Sequence, residues 1–328
     1  MSAFAVLGAG AWGTALAFQL ARANPDASIY LWGHDPDKQK LLQQQRCNSN
    51  FFPDVLFPAN LTAVTELSAA LKNVAGIIIA VPSHGYAELI KNISPLCPLT
   101  LPILSATKGL APQTGSFLHS IMNEQQHFAI LSGPSFASEV IQQLPTAITI
   151  ASAQPAYAQF WQTHLHSDFF RAYTTDDIIG VQLGGTVKNV LAIATGIADG
   201  IGFGANARAA LITRGLAEMM RLNQTLGGKQ ATLMGLAGVG DLVLTCTDNQ
   251  SRNRRFGMAL GAGKSIQEAL VDIHQVVEGY LAAKLVYNLA QQRHVEIPIC
   301  EVMYALLYKN LPVKQAIQEL LTRAPKME

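Results

Sequence analysis

Charge is scarce in this chain. Only 14% of its 328 residues are Asp, Glu, Lys or Arg, against roughly 25% in ordinary globular proteins. The signs nearly cancel, with 23 basic and 22 acidic side chains and a net of +1. Hydrophobic residues make up 49%, which excludes intrinsic disorder, a state of few apolar residues and much charge. The missing basic excess argues against a general nucleic-acid binder. Cysteine is scarce too. Cys47, Cys97, Cys246 and Cys300 stand far apart and form no CxxC pair, so neither a disulfide framework nor a zinc site is expected. They read as buried free thiols of a reducing cytoplasm. His164 and His166 form an HxH pair without Cys or carboxylate support. They read as surface histidines, and no metal is expected.

Long uninterrupted apolar helices are also missing. Met1 to Ala21 holds no charged residue, but no Lys or Arg precedes the run, and Gly8, Gly10 and Gly13 suit a turn. A signal peptide needs a basic start and a cleavage site. Leu183 to Gly202 is interrupted by Lys188. Nothing supplies the roughly 20 uncharged residues of a membrane helix, and no span is expected.

What is present is a strand–helix alternation over the first half. Phe4–Leu7, Ser28–Trp32, Gly76–Pro82, Leu101–Ser105, Phe128–Leu131 and Ala147–Ala151 are short apolar runs separated by helix-forming stretches such as Ala11 to Ala23. Continuous apolar strands between helices imply a parallel sheet covered on both faces. Beyond about residue 175 the β-like runs fade. Val181–Ala198, Ala205–Leu226, Ser265–Leu270, Val277–Gln292 and Val313–Arg323 read as helices. Two domains follow, 1–178 and 179–328. The first carries 8 basic and 11 acidic residues, a net of −3, and the second 15 and 11, a net of +4. The positive half is compatible with an anionic small substrate.

Gly8-Ala-Gly10-Ala-Trp-Gly13 fits G-x-G-x-x-G directly after a predicted strand and at the start of a predicted helix. In that context the glycines permit a tight turn, close approach of a pyrophosphate and close helix–strand packing, and the helix N-terminus attracts the anion. The fold class is therefore α/β: a Rossmann-type N-terminal domain with a mostly parallel sheet, followed by an all-α C-terminal domain. An NAD-selective site places an acid at the end of the second strand. Here Trp32 is followed by Gly33 and His34, and an acid comes only at Asp35. NADPH is expected to be accepted, with NADH also possible.

Polar residues inside apolar segments mark the chemistry. Thr107-Lys108-Gly109 and Ser132-Gly-Pro-Ser135 follow strands, where open α/β sheets bind ligands. Lys188-Asn189 interrupts an apolar helix, and Asp241 is the only charge from Ala231 to Thr247. The lysine can snorkel to the surface or face a cleft as an acid–base group. The aspartate can be a helix cap or the lysine's partner. Ser251-Arg-Asn-Arg-Arg255 sets three arginines beside Ser and Asn. Such a set matches phosphate oxygens or forms a solvated turn.

These motifs together resemble the bacterial NAD(P)-dependent glycerol-3-phosphate dehydrogenases. The resemblance rests on Gly8-Ala-Gly-Ala-Trp-Gly-Thr-Ala15, Ser132-Gly-Pro-Ser-Phe-Ala137, Lys188-Asn-Val190, Ala194–Gly200 with Asn206–Arg214, Gly235–Leu242, Ser251–Gly257 and Val277-Glu-Gly279. It spans nearly the whole chain. It implies reduction of dihydroxyacetone phosphate to sn-glycerol 3-phosphate for glycerophospholipid synthesis, with Lys188 as general acid–base. It implies substrate contacts at Lys108, Gly133, Ser135, Lys188, Asp241, Ser251, Arg252 and Asn253. Cofactor contacts are implied at Gly8, Gly10, Ala11, Trp12, Gly13, His34, Lys108, Ala137, Arg252, Val276 and Glu278. Asp241 and Asn189 are expected to orient the lysine, and Arg252 and Asn253 to grip the phosphate. A cytoplasmic homodimer is expected. The chain departs from the family at Ala11, often Ser, and at Thr107, often Cys. A dehydrogenase of the same plan with another substrate, or a dinucleotide-sensing regulator, remains the alternative.

Overall fold

Apolar and β-branched runs pair into one large sheet in the computed structural model, which describes residues 2–123 and 125–322. Its strands are β1 (Ala3–Leu7), β2 (Ser28–Trp32), β5 (Leu61–Val64), β6 (Gly76–Ile79), β7 (Ile103–Ser105), β8 (Phe128–Ser132), β9 (Thr146–Ala151) and β10 (Phe170–Thr175). A separate antiparallel hairpin joins β3 (Cys47–Asn48) and β4 (Phe52–Leu56). The sheet order is β10-β9-β8-β7-β6-β1-β2-β5. Every pairing is parallel except β8 with β9.

The order reverses at β1, which lies between β2 and β6. That is the switch point at which open α/β sheets hold ligands, beyond the strands' C-terminal ends. Leu7 is in register with Trp32 on one side and Ile79 on the other. Gly8 N–H then donates to Trp32 O at 2.7 Å, and Ala80 N–H to Leu7 O at 2.8 Å. All four residues of β6 are buried, as a strand covered on both faces requires. The core gathers Phe4, Val6, Leu31 and Ile78 with Leu16 and Leu20 of helix α1 (Ala11–Ala23) and with Trp161.

The chain forms two compact units, Met1–Lys108 with Phe117–Ile178, and Gly109–Ser116 with Ile179–Glu328. After β10 the described elements are helical. The central helix, Ile178–Gly200, is long and apolar enough to cross a membrane, but 89% of the relevant window is buried inside the protein. It is a core helix. Its partner is the helix Arg252–Gly261. A Cβ on Gly196 would lie 2.2 Å from Arg254 O, and one on Gly257 would lie 2.2 Å from Ile193 O. Only glycine allows the two backbones to touch there.

Some elements differ from the sequence expectation. The helix expected over Val181–Ala198 runs Ile178–Gly200, the one expected over Ser265–Leu270 runs Ile266–Ile273, and the last is Val313–Leu321. Arg323, its expected end, lies outside the described residues. β5, β10, the hairpin and the helices Ser83–Ile93 and Pro298–Tyr308 add to the elements expected from the sequence.

Candidate active site

In the first unit the chemistry-bearing residues sit where β1, β7 and β8 end. Gly8 has φ +121°, a left-handed value, and a Cβ there would meet Ala80 O at 2.6 Å. A Cβ on Gly13 would meet Gly8 O at 1.8 Å, whereas nothing lies within 4 Å of one on Gly10. Gly10 is the N-cap of α1 and supplies no side-chain cap. The turn is therefore open outside, closed against the strand, and aims the first-turn N–H groups of Ala11, Trp12 and Gly13 outward. This arrangement fits a dinucleotide pyrophosphate.

His34 is exposed just past β2. Asp35 is engaged locally. It caps the helix Pro36–Gln45 by accepting from Asp37 N–H and Lys38 N–H, and it pairs with Lys38 at 3.2 Å. The Lys38 N–H bond holds its carboxyl below the usual carboxylate range. At the end of β7, Thr107 Oγ1 donates to Val81 O at 2.8 Å. Lys108 Nζ reaches Gly133 O at 3.3 Å, and Ser135 Oγ donates to the same oxygen at 3.0 Å. Lys108, Gly133 and Ser135 thus form one cluster. Ala137 opens the short helix Ala137–Ile141 beyond it.

In the second unit Lys188 does not snorkel. Its side chain is 8% exposed, and Nζ donates to Asp241 Oδ1 at 2.5 Å and to Thr245 Oγ1 at 2.9 Å. Asp241 is 2% exposed and opens the helix Asp241–Thr247 after a π-turn over Leu236–Gly240. That turn presses on the lysine helix, since a Cβ on Gly184 would meet Ala237 O at 2.3 Å. Thr245 Oγ1 donates in turn to Asp241 O at 2.6 Å. Thr245 carries no expected role in the sequence. Its signal was the four-residue spacing from Asp241, which stacks both side chains on one helix face.

Asn189 follows Lys188 on the same helix. Its amide donates to Gly185 O at 3.2 Å, and its oxygen accepts from Asn253 Nδ2 at 2.9 Å. Asn253 Oδ1 accepts Gly279 N–H at 2.8 Å. Asn189 therefore orients Asn253, and Asn253 in turn holds the backbone at Gly279, next to Glu278. Ser251 caps the Arg252–Gly261 helix through Arg254 N–H at 3.2 Å. Arg252 is exposed and bonds Gln275 Oε1 at 3.1 Å. Arg254 is buried against Asp199, so the three arginines are not one phosphate cluster. Among the described residues no group of three or more His, Cys, Asp or Glu is placed to hold a metal. All four cysteines are unpaired.

The sequence model described as NAD-dependent glycerol-3-phosphate dehydrogenase N-terminus matches residues 3–158, and the one described as its C-terminus matches 177–318. The chain belongs to the NAD-dependent glycerol-3-phosphate dehydrogenase family. A glycerol-3-phosphate dehydrogenase [NAD(P)+] of Haemophilus ducreyi is 50% identical, covering 99% of this chain and 97% of that one. One of Colwellia psychrerythraea is 51% identical over 98% of each. The crystal structure of the Coxiella burnetii glycerol-3-phosphate dehydrogenase is 47% identical with a TM-score of 0.94, covering 98% of this chain and 99% of that one. Members of this family are oxidoreductases, and the Lys188–Asp241–Thr245 cluster lies in the C-terminal family segment.

Proposed function

We propose that this enzyme reduces dihydroxyacetone phosphate to sn-glycerol 3-phosphate with NADPH or NADH, in the cytoplasm, for glycerophospholipid synthesis. The observation that carries the reading is a buried ammonium held by a carboxylate and a hydroxyl in a chain half identical to named glycerol-3-phosphate dehydrogenases [NAD(P)+].

When bound, the reduced nicotinamide supplies hydride to C2 of the ketone. The chain's residues do the rest. The turn at Gly8, Gly10 and Gly13 and the N-terminus of α1 hold the pyrophosphate. His34 stands where a carboxylate would repel a 2′-phosphate, and Asp35 is committed to its helix cap, so both cofactors are accepted. Negative charge grows on the carbonyl oxygen as hydride arrives. Lys188 stabilises that oxygen as an ammonium and gives it a proton, which solvent restores. Asp241 and Thr245 fix the direction of the ammonium. Arg252, Asn253 and the first turn of their helix hold the phosphate, and that remote binding energy fixes C2 for reaction. Lys108, Gly133 and Ser135 complete the substrate contacts. Four unpaired thiols support a reducing compartment. The Met- and Leu-rich helical unit supports a homodimer, which light scattering on the purified enzyme tests.

The test of the function is turnover of dihydroxyacetone phosphate by the purified protein, followed at the NADPH absorbance. Stoichiometric formation of sn-glycerol 3-phosphate is expected. Absence of turnover with this ketone, alongside turnover of another, contradicts the reading.

A further inference from the structure

Arg254 follows Arg252 and Asn253 in sequence but is used differently. Its side chain is 6% exposed and its guanidinium is engaged in three directions. Nη2 donates to Asp199 Oδ2 at 2.5 Å, Nε donates to Cys246 O at 3.2 Å, and Nη1 donates to the Asn249 side-chain oxygen. Asp199 is 9% exposed, and its two oxygens also take Arg208 Nη1 at 3.0 and 2.9 Å.

Each anchor lies on a segment that bears one of the site residues. Asp199 lies in the last turn of the helix that bears Lys188. Cys246 follows Thr245, which holds the Lys188 ammonium. Arg254 itself sits in the first turn of the helix that bears Arg252 and Asn253. One planar guanidinium therefore ties three segments together, and a planar fork with fixed donors has little freedom to adjust. The backbones beneath it touch at Gly196 and Gly257, so any error in its direction passes to the helix start.

We propose that Arg254, held by Asp199, is a positioning residue that aims the first turn of the Arg252–Gly261 helix at the substrate's phosphate. The proposal rests on the reading that Arg252 and Asn253 hold that phosphate. A merely structural ion pair would affect every substrate alike, whereas a device that aims the phosphate grip affects only substrates that carry a phosphate.

The test compares Arg254→Lys, Asn249→Ala and Arg252→Ala, each with dihydroxyacetone phosphate and with dihydroxyacetone. KM, kcat and Tm are measured, and NADH binding is followed by fluorescence. A lysine can still pair with Asp199 but cannot also reach Cys246 O and Asn249. Arg254→Lys is expected to raise KM for the phosphorylated ketone by about tenfold, with NADH binding and kcat/KM for dihydroxyacetone within about twofold. Asn249 is exposed, so its alanine variant folds normally and is expected to show the same pattern at about threefold. It decides the matter if Arg254→Lys does not fold. The proposal is overturned if both variants lower kcat/KM equally for the two ketones. It is also overturned if they leave KM for the phosphorylated ketone unchanged while Arg252→Ala raises it. If Arg252→Ala itself leaves that KM unchanged, the phosphate reading fails, and the proposal fails with it.

Discussion

The Lys188 ammonium lies 2.5 Å from Asp241 Oδ1, with both side chains more than nine-tenths buried. Removing one member of such a pair leaves a charge without compensation in a poorly solvated place. Asp241→Asn is expected to destabilise the protein by about 3–5 kcal/mol and to lower kcat. Urea unfolding monitored by circular dichroism, with steady-state rates, checks both. Unchanged stability would mean that the two charges do not depend on each other.

The cofactor preference follows from where the acid near β2 points. Asp35 caps the helix Pro36–Gln45 and pairs with Lys38, leaving exposed His34 at the strand end. Fluorescence titration is expected to show NADPH and NADH affinities within about 100-fold, near 3 kcal/mol. His34→Asp is expected to weaken NADPH about tenfold or more while sparing NADH, since a carboxylate repels a 2′-phosphate. A wild-type preference for NADH beyond 100-fold contradicts the reading.

Glycine packing makes a prediction about stability. A Cβ on Gly257 would lie 2.2 Å from a backbone oxygen, whereas nothing lies within 4 Å of one on Gly85 in the helix Ser83–Ile93. Gly257→Ala is expected to cost about 1–3 kcal/mol by overpacking. Gly85→Ala is expected to gain up to about 1 kcal/mol by restricting the unfolded chain. Thermal unfolding of the two variants separates them by sign.

Glu218 makes stability depend on pH. Its carboxylate accepts Ile299 N–H at 2.6 Å and Cys300 N–H at 3.2 Å at the start of the helix Pro298–Tyr308. Burial pushes its pKa up to about 7 from an ordinary 4.5. The folded state therefore favours the protonated acid. The stability it contributes is full below about pH 4.5 and is lost as pH rises through about 7, on the order of 3 kcal/mol in all. Glu218→Gln is expected to flatten the fall in Tm between pH 5 and 8. Parallel curves for the variant and wild type would show that Glu218 does not titrate in that range.

The sequence revealed most where one local pattern sufficed. The Gly8–Gly13 turn was legible because strand, glycines and helix are contiguous, and Lys188 and Asp241 stood out because so few charges surround them. Relations made by tertiary contact were hidden. Nothing in the segment Ser251–Arg255 separates exposed Arg252 from buried Arg254, because the difference lies in Asp199, some 50 residues away. Asn189 stands beside Lys188 on the helix, but its bond to Asn253, 64 residues on, could not be read from either segment. The strand Phe170–Thr175 is not one of the continuous apolar runs, because only every second residue at its start is buried, as an edge strand allows.

The central claim is that Lys188 donates the proton to the ketone oxygen. Its most direct test is the kcat of Lys188→Ala with dihydroxyacetone phosphate and NADPH at saturation, beside wild type, with folding confirmed by Tm. The account predicts a fall of about 10²–10⁴. A folded variant with near-normal kcat would contradict it.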